Sequence, residues 1–248
     1  MKTLAIINQK GGVGKSTTAH ALGAGLRNKG FSVLFVDLDA QGNLSYTLGA
    51  STQGSNALGV LQRPLSVKEA IQRTEQGDVI ASSPALAGAD ILITETGKEY
   101  RLREALETVK GAYDFCVIDT PPALGIVTVN ALTACEEIII PAQADIYSLQ
   151  GISQLSSTIE TVKRYCNPAL SVAGIVLTRY NNRSILSREV AEMISETAEQ
   201  LHTKLFKVKI RECTALKEAQ ARKEDIFSYA PKSNASTDYK NLLKEIIG

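Results

Sequence analysis

Gln9-Lys10-Gly11-Gly12-Val13-Gly14-Lys15-Ser16-Thr17 lies between an apolar run, residues 3–7, and a helical pattern, residues 16–29. Three glycines let the backbone fold tightly enough to turn its N–H groups inward, and the helix that follows offers a positive N-terminus. Strand, glycine-rich turn and helix in that order form a cradle for nucleotide phosphates. The backbone of Gly11, Gly12, Val13, Gly14 and Thr17 would wrap the phosphates, Lys15 would reach the β and γ groups, and Ser16 would place its hydroxyl on Mg²⁺. The usual pattern has glycine five residues before the Gly-Lys pair. Here Gln9 holds that position, and a second lysine, Lys10, opens the loop.

Apolar, β-branched runs at residues 3–7, 33–37, 79–82, 115–119, 137–141, 172–178 and 205–210 alternate with helical patterns. The helical patterns cover residues 16–29, 67–72, 100–109, 127–134, 148–165, 187–201, 214–222 and 236–247. Alternation of this kind predicts an α/β fold: a mainly parallel, doubly wound sheet of seven or eight strands with helices on both faces. Residues 49–65, with Ser51, Gly54, Ser55, Gly59 and Pro64, read as an irregular excursion near the nucleotide. No Ser/Gly/Pro linker or repeat divides the chain, so residues 1–248 are expected to form one domain. Nothing ahead of the phosphate loop would house a helix-turn-helix extension.

In open sheets of this type ligands sit at the carboxyl ends of the strands, so the residues just after each strand matter most. Two runs carry carboxylates there. Asp37 and Asp39 leave the end of the second strand at period two, close to where the phosphate loop is expected to leave the neighbouring strand, so that one can orient a water or a Mg²⁺ ligand and the other hold the loop. The apolar run 115–118 ends in Asp119, the position from which a buried strand delivers a carboxylate to the metal of a phosphate-loop ATPase. Phosphoryl transfer needs positioning and charge neutralisation rather than a covalent intermediate, and these residues supply both. His20 and His202, the two histidines, fall within helical patterns and read as structural or surface residues.

Lys-Gly-Gly-x-Gly-Lys-Ser/Thr resembles the deviant phosphate loop of the ParA, MinD and nitrogenase-iron-protein group of ATPases. The resemblance implies ATP and Mg²⁺ as ligands and an ATP-dependent homodimer, in which Lys10 reaches across the interface into the partner's nucleotide. Asp37-Leu38-Asp39-Ala40-Gln41-Gly42-Asn43 is similar to the family's switch I, with Ala40 in place of the usual proline, and gives Asp39 the orientation of the attacking water. Asp119-Thr120-Pro121-Pro122 resembles switch II, with Ser16 and Asp119 as metal ligands.

The segments Ile138–Gln143, Tyr147–Ile152, Gly174–Arg183 and Ile226-Phe227 with Tyr229–Ser233 extend the likeness over essentially the whole chain, toward the ParA/Soj branch. On that likeness Asn181 and Arg211 fall beside the nucleotide. Two departures stand out. Arg211 occupies the place of the family's proline near the adenine, and Ala215 replaces an arginine implicated in DNA contact.

Net charge is +1, so no global field draws the molecule to nucleic acid or anionic lipid, and any such contact must be local. Residues 179–248 hold thirteen Lys/Arg against ten Asp/Glu, and Arg179, Arg211, Lys217, Arg222 and Lys223 are the candidate DNA contacts. Cys116, Cys135, Cys166 and Cys213 are widely spaced, unlike a zinc or iron–sulfur ligand set. No signal peptide or membrane-spanning run is apparent, which predicts a cytoplasmic protein.

The family resemblance implies a DNA-partition ATPase of low intrinsic activity. ATP-bound dimers would bind nonspecific duplex DNA in the nucleoid and leave it when a centromere-binding, ParB-type protein stimulates hydrolysis. Two alternatives share the loop. A MinD-like membrane-cycling ATPase would want a basic amphipathic helix beyond the core; a filament-forming or position-marking protein could be built from the same dimer.

Overall fold

A computed structural model describes residues 1–63, 67–200 and 202–248. The order of strands in the sheet is β3-β4-β2-β5-β1-β6-β7-β8. Their ranges are β1 (Lys2–Ile6), β2 (Val33–Asp37), β3 (Ile71–Thr74), β4 (Gly77–Ile80), β5 (Phe115–Asp119), β6 (Glu137–Ala142), β7 (Ser171–Tyr180) and β8 (Leu205–Arg211). All neighbours are parallel except β3 and β4, which form an antiparallel edge hairpin.

Within each central strand successive residues serve opposite cores. Ala5, Leu34, Val36, Cys116, Ile118, Ile138 and Ile140 face one, whereas Leu4, Ile6, Val33, Phe35, Val117 and Ile139 face the other. Both faces are therefore dry, which explains why these strands read as continuous apolar runs. Helices α1 (Lys15–Asn28), α2 (Asn43–Leu48), α10 (Thr214–Ala221), α11 (Ile226–Tyr229) and α12 (Asn234–Ile247) cover one face. The other is covered by α3 (Ala57–Gln62), α4 (Val67–Ala70), α5 (Ala89–Leu92), α6 (Arg101–Glu107), α7 (Ile126–Ala134), α8 (Ile146–Tyr165) and α9 (Ile185–Gln200). Gly23 lets α1 lie close on β2, because a Cβ there would sit 2.1 Å from the Phe35 ring.

Two expectations need correction. The pattern at 67–72 is not one helix: α4 ends at Ala70, and Ile71 begins β3, which turns back at Gly77 (φ 135°) to pair with β4. The stretch 49–65 is not irregular throughout, since α3 forms within it, and Asn56 caps it by accepting from the N–H groups of Leu58 and Gly59 at 3.1 and 3.3 Å. Pro64 and Leu65, at the end of that stretch, and Leu201, at the end of the pattern 187–201, lie outside the described residues. Among the described residues no helix is long and apolar enough to cross a membrane.

Registry positions the site. Ile6 pairs with Asp119, and Asp119 with Asp37, so the ends of β1, β5 and β2 share one rung. Strand β5 thus separates β1 from β2, and Asp119 lies at the centre, between the phosphate loop and the Asp37–Asn43 segment.

Candidate nucleotide site

The phosphate loop leaves β1 and enters α1 through Gly12 (φ 75°) and Gly14 (φ 88°), both in the left-handed region that favours glycine. Gly14 is the N-cap of α1 and offers no capping side chain, leaving the helix's first N–H groups for a ligand.

Neighbouring strands brace the loop. Asn8 donates to the Pro141 carbonyl at 2.7 Å and accepts from the Lys10 N–H at 2.9 Å. Gln143 donates to the Gly12 carbonyl at 3.2 Å, and Thr178 to that of Val13 at 2.8 Å. Gln220, from α10, donates to the Thr17 hydroxyl at 2.8 Å. None of these four was assigned to the site from sequence, although Gln143 and Thr178 stand at strand carboxyl ends, where the rule for open sheets directs attention.

A cavity of about 610 Å³ opens over the loop, lined by Gly11, Gly12, Gly14, Lys15, Ser16 and Thr17 from one side and by Asp39, Gln41 and Tyr46 from the other. Lys15 is 7% exposed; its ammonium donates to the Lys10 carbonyl at 3.2 Å. Burial lowers its pKa, and the charges of Asp119 and Asp39 oppose that shift.

The three carboxylates differ in their surroundings. Asp37 is wholly buried and satisfied: it accepts from the Ser45 N–H and hydroxyl at 2.7 and 2.6 Å and from the Asp39 N–H at 3.2 Å. Burial nevertheless pushes it up to about 6. Asp39 is 9% exposed, lines the cavity and accepts from the Gln41 N–H at 3.0 Å. Asp119 is fully buried, and neither of its oxygens has a hydrogen-bond partner. Burial and then the charge of Asp37 raise its pKa well above the ordinary value; the Ser16 hydroxyl, near Asp119 but outside hydrogen-bonding geometry, and the charge of Lys15 pull the other way.

A bare buried carboxylate beside a serine hydroxyl and below a phosphate cradle fits a hard cation. Mg²⁺ in such sites takes one or two protein oxygens and completes its shell with phosphate and water, so an all-protein cage is not needed. Among the described residues no group of three or more His, Cys, Asp or Glu is gathered for a metal.

Lys10 does not line the cavity; its ammonium is paired with Asp145 of its own chain and lies 3.4 Å from the Gln143 amide oxygen. A second cavity of about 180 Å³ adjoins the first at Gly12, Gly14 and Thr17, with Arg179, Arg211 and Lys217 on its wall. Arg211 is held there by Asp238, in a two-pronged pair at 3.0 and 2.6 Å. Asn181 is exposed outside that lining and accepts from the Arg183 N–H at 3.0 Å. Arg222 lies beyond the wall with its guanidinium 5.6 Å from the Tyr229 ring, and the Lys223 ammonium is 4.8 Å from that of Tyr46.

A family profile described as an AAA domain matches residues 1–172, and one described as 4Fe-4S iron sulfur cluster binding proteins of the NifH/frxC family matches residues 125–248. The sporulation initiation inhibitor protein Soj of Bacillus subtilis is 40% identical over 250 residues, covering 99% of this chain and 98% of that protein. The chromosome partitioning protein ParA of Caulobacter vibrioides is 39% identical over 254 residues, covering 100% and 94%. A crystal structure described as cobyrinic acid a,c-diamide synthase from Mycobacterium smegmatis, with bound ATP analog and magnesium, superposes with a TM-score of 0.85 at 31% identity, covering 98% of this chain and 93% of that one.

Proposed function

Because the chain belongs to the ParA/Soj family of partition ATPases, we propose that it is an ATP-driven partition switch whose nucleotide-bound dimer holds nonspecific duplex DNA and whose hydrolysis releases it. One observation carries the nucleotide chemistry: Asp119, buried without a partner, lies on the rung that ends at the phosphate loop. Neither a structural turn nor a surface glycine loop would leave a carboxylate bare at that position.

ATP binds with its phosphates on the loop backbone and the N-terminus of α1. Lys15 neutralises the β and γ phosphates, and Ser16 and Asp119 hold Mg²⁺. The ion supplies charge neutralisation on the phosphates. Asp39, whose carboxylate faces the cavity, orients the attacking water. Asp37 keeps this segment in place through Ser45, so its role is positional. The second cavity takes the base, between Arg179 and the Arg211–Asp238 pair.

Dimerisation requires Lys10 to leave Asp145 and engage the partner's nucleotide. DNA is held through phosphates by exposed cations around α10, and a centromere-binding protein of the ParB type accelerates hydrolysis; association with the nucleoid follows from that cycle. The family supports this reading over a membrane cycle.

The decisive experiment measures retention of random-sequence duplex DNA with ATP, with ADP and without nucleotide, alongside phosphate release. Retention with ATP alone is expected. Equal retention in all three states would remove the switch from the proposal.

A further inference from the structure

Helix α9 presents three large apolar side chains to solvent: Ile185 is 66% exposed, Leu186 64% and Met193 48%. Single apolar side chains scattered on a surface need no partner, but these share one arc of one helix. Leu186 and Met193 are seven residues apart, two turns along one stripe, and Ile185 stands about 100° around the helix from Leu186, with Glu189 and Glu196 at angles between them. Packing does not account for them, because Val190, Ala191, Ile194 and Ala198 already dock the helix on the core from its other side.

The stripe is framed by acid. Glu189 follows Leu186 by three residues and Glu196 follows Met193 by three, with Glu192 and Glu199 along the flank; all four are exposed. None forms an ion pair among the described residues. Arg188 is the helix's one cation against these four carboxylates. Since β6 and β7 are parallel neighbours, α8 starts at the same edge of the sheet, and its first two residues, Ile146 and Tyr147, are 59% and 71% exposed.

This charge pattern selects the occupant. Four unpaired carboxylates repel DNA and anionic lipid alike. Two copies meeting through this face would bring glutamates against glutamates. A segment with apolar side chains on one side and Lys/Arg on the other satisfies both halves of the surface. We propose that the exposed face of α9 is the docking surface for a basic amphipathic segment of the protein that stimulates hydrolysis. The stimulating role rests on the partition reading; the chemistry of the contact does not.

The test uses the full chain with Mg²⁺ and ATP and a fluorescent synthetic peptide of about five helical turns, leucines on one face and lysines on the other. A second peptide keeps the leucines and replaces each lysine by glutamate. Anisotropy should show binding of the basic peptide that weakens with salt, and affinity for the acidic one lower by at least about tenfold. Leu186→Ser with Met193→Ser, and separately Glu189→Lys with Glu196→Lys, should each weaken the basic peptide by about tenfold, while basal ATP turnover and melting temperature stay unchanged.

Undiminished affinity in both variants overturns the proposal, as does equal binding of the two peptides. Loss of the ATP-dependent dimer in these variants, seen by light scattering, would assign the face to a second copy instead. A wild-type protein without ATP-dependent DNA retention would defeat the partition reading, yet peptide binding and its loss in the variants would still report on α9.

Discussion

Asp37 and Asp119 stand opposite one another in the register between β2 and β5, both wholly buried, and only Asp37 has hydrogen-bond partners. Removing two adjacent carboxylates from water costs stability until a cation arrives. Asp119→Asn should therefore stabilise the nucleotide-free protein, by about 1–3 kcal/mol, while abolishing the extra stabilisation that ATP gains from Mg²⁺ over EDTA. Melting curves of both proteins in the four conditions decide the matter. A less stable nucleotide-free variant would show that Asp119 is already satisfied in the absence of a metal.

The same pair sets a pH dependence. Burial raises Asp37 from 3.8 to about 6, and burial together with Asp37 raises Asp119 well above that ordinary value. Within this range the native state keeps protons that the unfolded chain has released, so the pair's contribution to stability falls as pH rises from 3.8 through about 6. Asp119→Asn should flatten the loss. Its stability advantage over wild type should thus widen between about pH 4 and about pH 7, and a constant advantage would count against two coupled buried acids.

Asp39→Ala should keep ATP and Mg²⁺ and hydrolyse slowly, because Lys15, Ser16 and Asp119 remain while the carboxylate facing the cavity is gone. A fall in turnover of at least about 10²-fold is expected, with ATP affinity within a few-fold of wild type. Normal turnover would move the water-orienting role off this residue.

Much of this site was legible in the chain because it consists of local signals at strand ends: the glycines, Lys15, Ser16 and the last residue of each apolar run. Registry was not legible. Asp37 and Asp39 look adjacent to the phosphate loop along the sequence, but β5 lies between, and this places Asp119 rather than either of them at the centre of the rung. The edge hairpin escaped because Ile71-Gln72-Arg73-Thr74 has neither alternation nor an apolar run, and its pairing with β4 depends on a turn at Gly77. His20 reads in sequence as structural or surface; it is buried on α1 and shares a 2.7 Å hydrogen bond with Gln76 of that turn, a long-range interaction no periodicity reveals.

Lys10 is tied to Asp145, and Asp145 also caps α8 by accepting from the Ser148 N–H at 3.0 Å. Asp145→Asn keeps the cap and weakens the tie, so the ATP-dependent dimer should form more readily. Partly exposed pairs contribute at most about 1 kcal/mol each, and a dimer gives up two of them, which limits the gain to about thirtyfold in dimer affinity. Lys10→Ala should bind nucleotide and remain monomeric. Light scattering with Asp39→Ala as the locked control resolves both, and a normal dimer from Lys10→Ala would make Lys10 an ordinary surface cation.

Arg211 separates two classes of cation around α10. Its guanidinium is committed to Asp238, whose side chain is 9% exposed, whereas Arg179, Lys217, Arg222 and Lys223 are exposed and form no ion pair among the described residues. Reversing two of these four to glutamate should weaken DNA binding evenly across sequences and reduce the salt slope by about 0.9 for each phosphate no longer neutralised. Arg211→Glu should behave differently: it leaves Asp238 beside a second carboxylate, and the first sign should be a lower melting temperature. ATP affinity, measured in parallel, separates weakened DNA binding from damage to the second cavity, which Arg179 and Lys217 line. If the locked Asp39→Ala protein binds no duplex at low salt, these cations serve some other anionic surface, and the partition cycle loses its DNA-holding step.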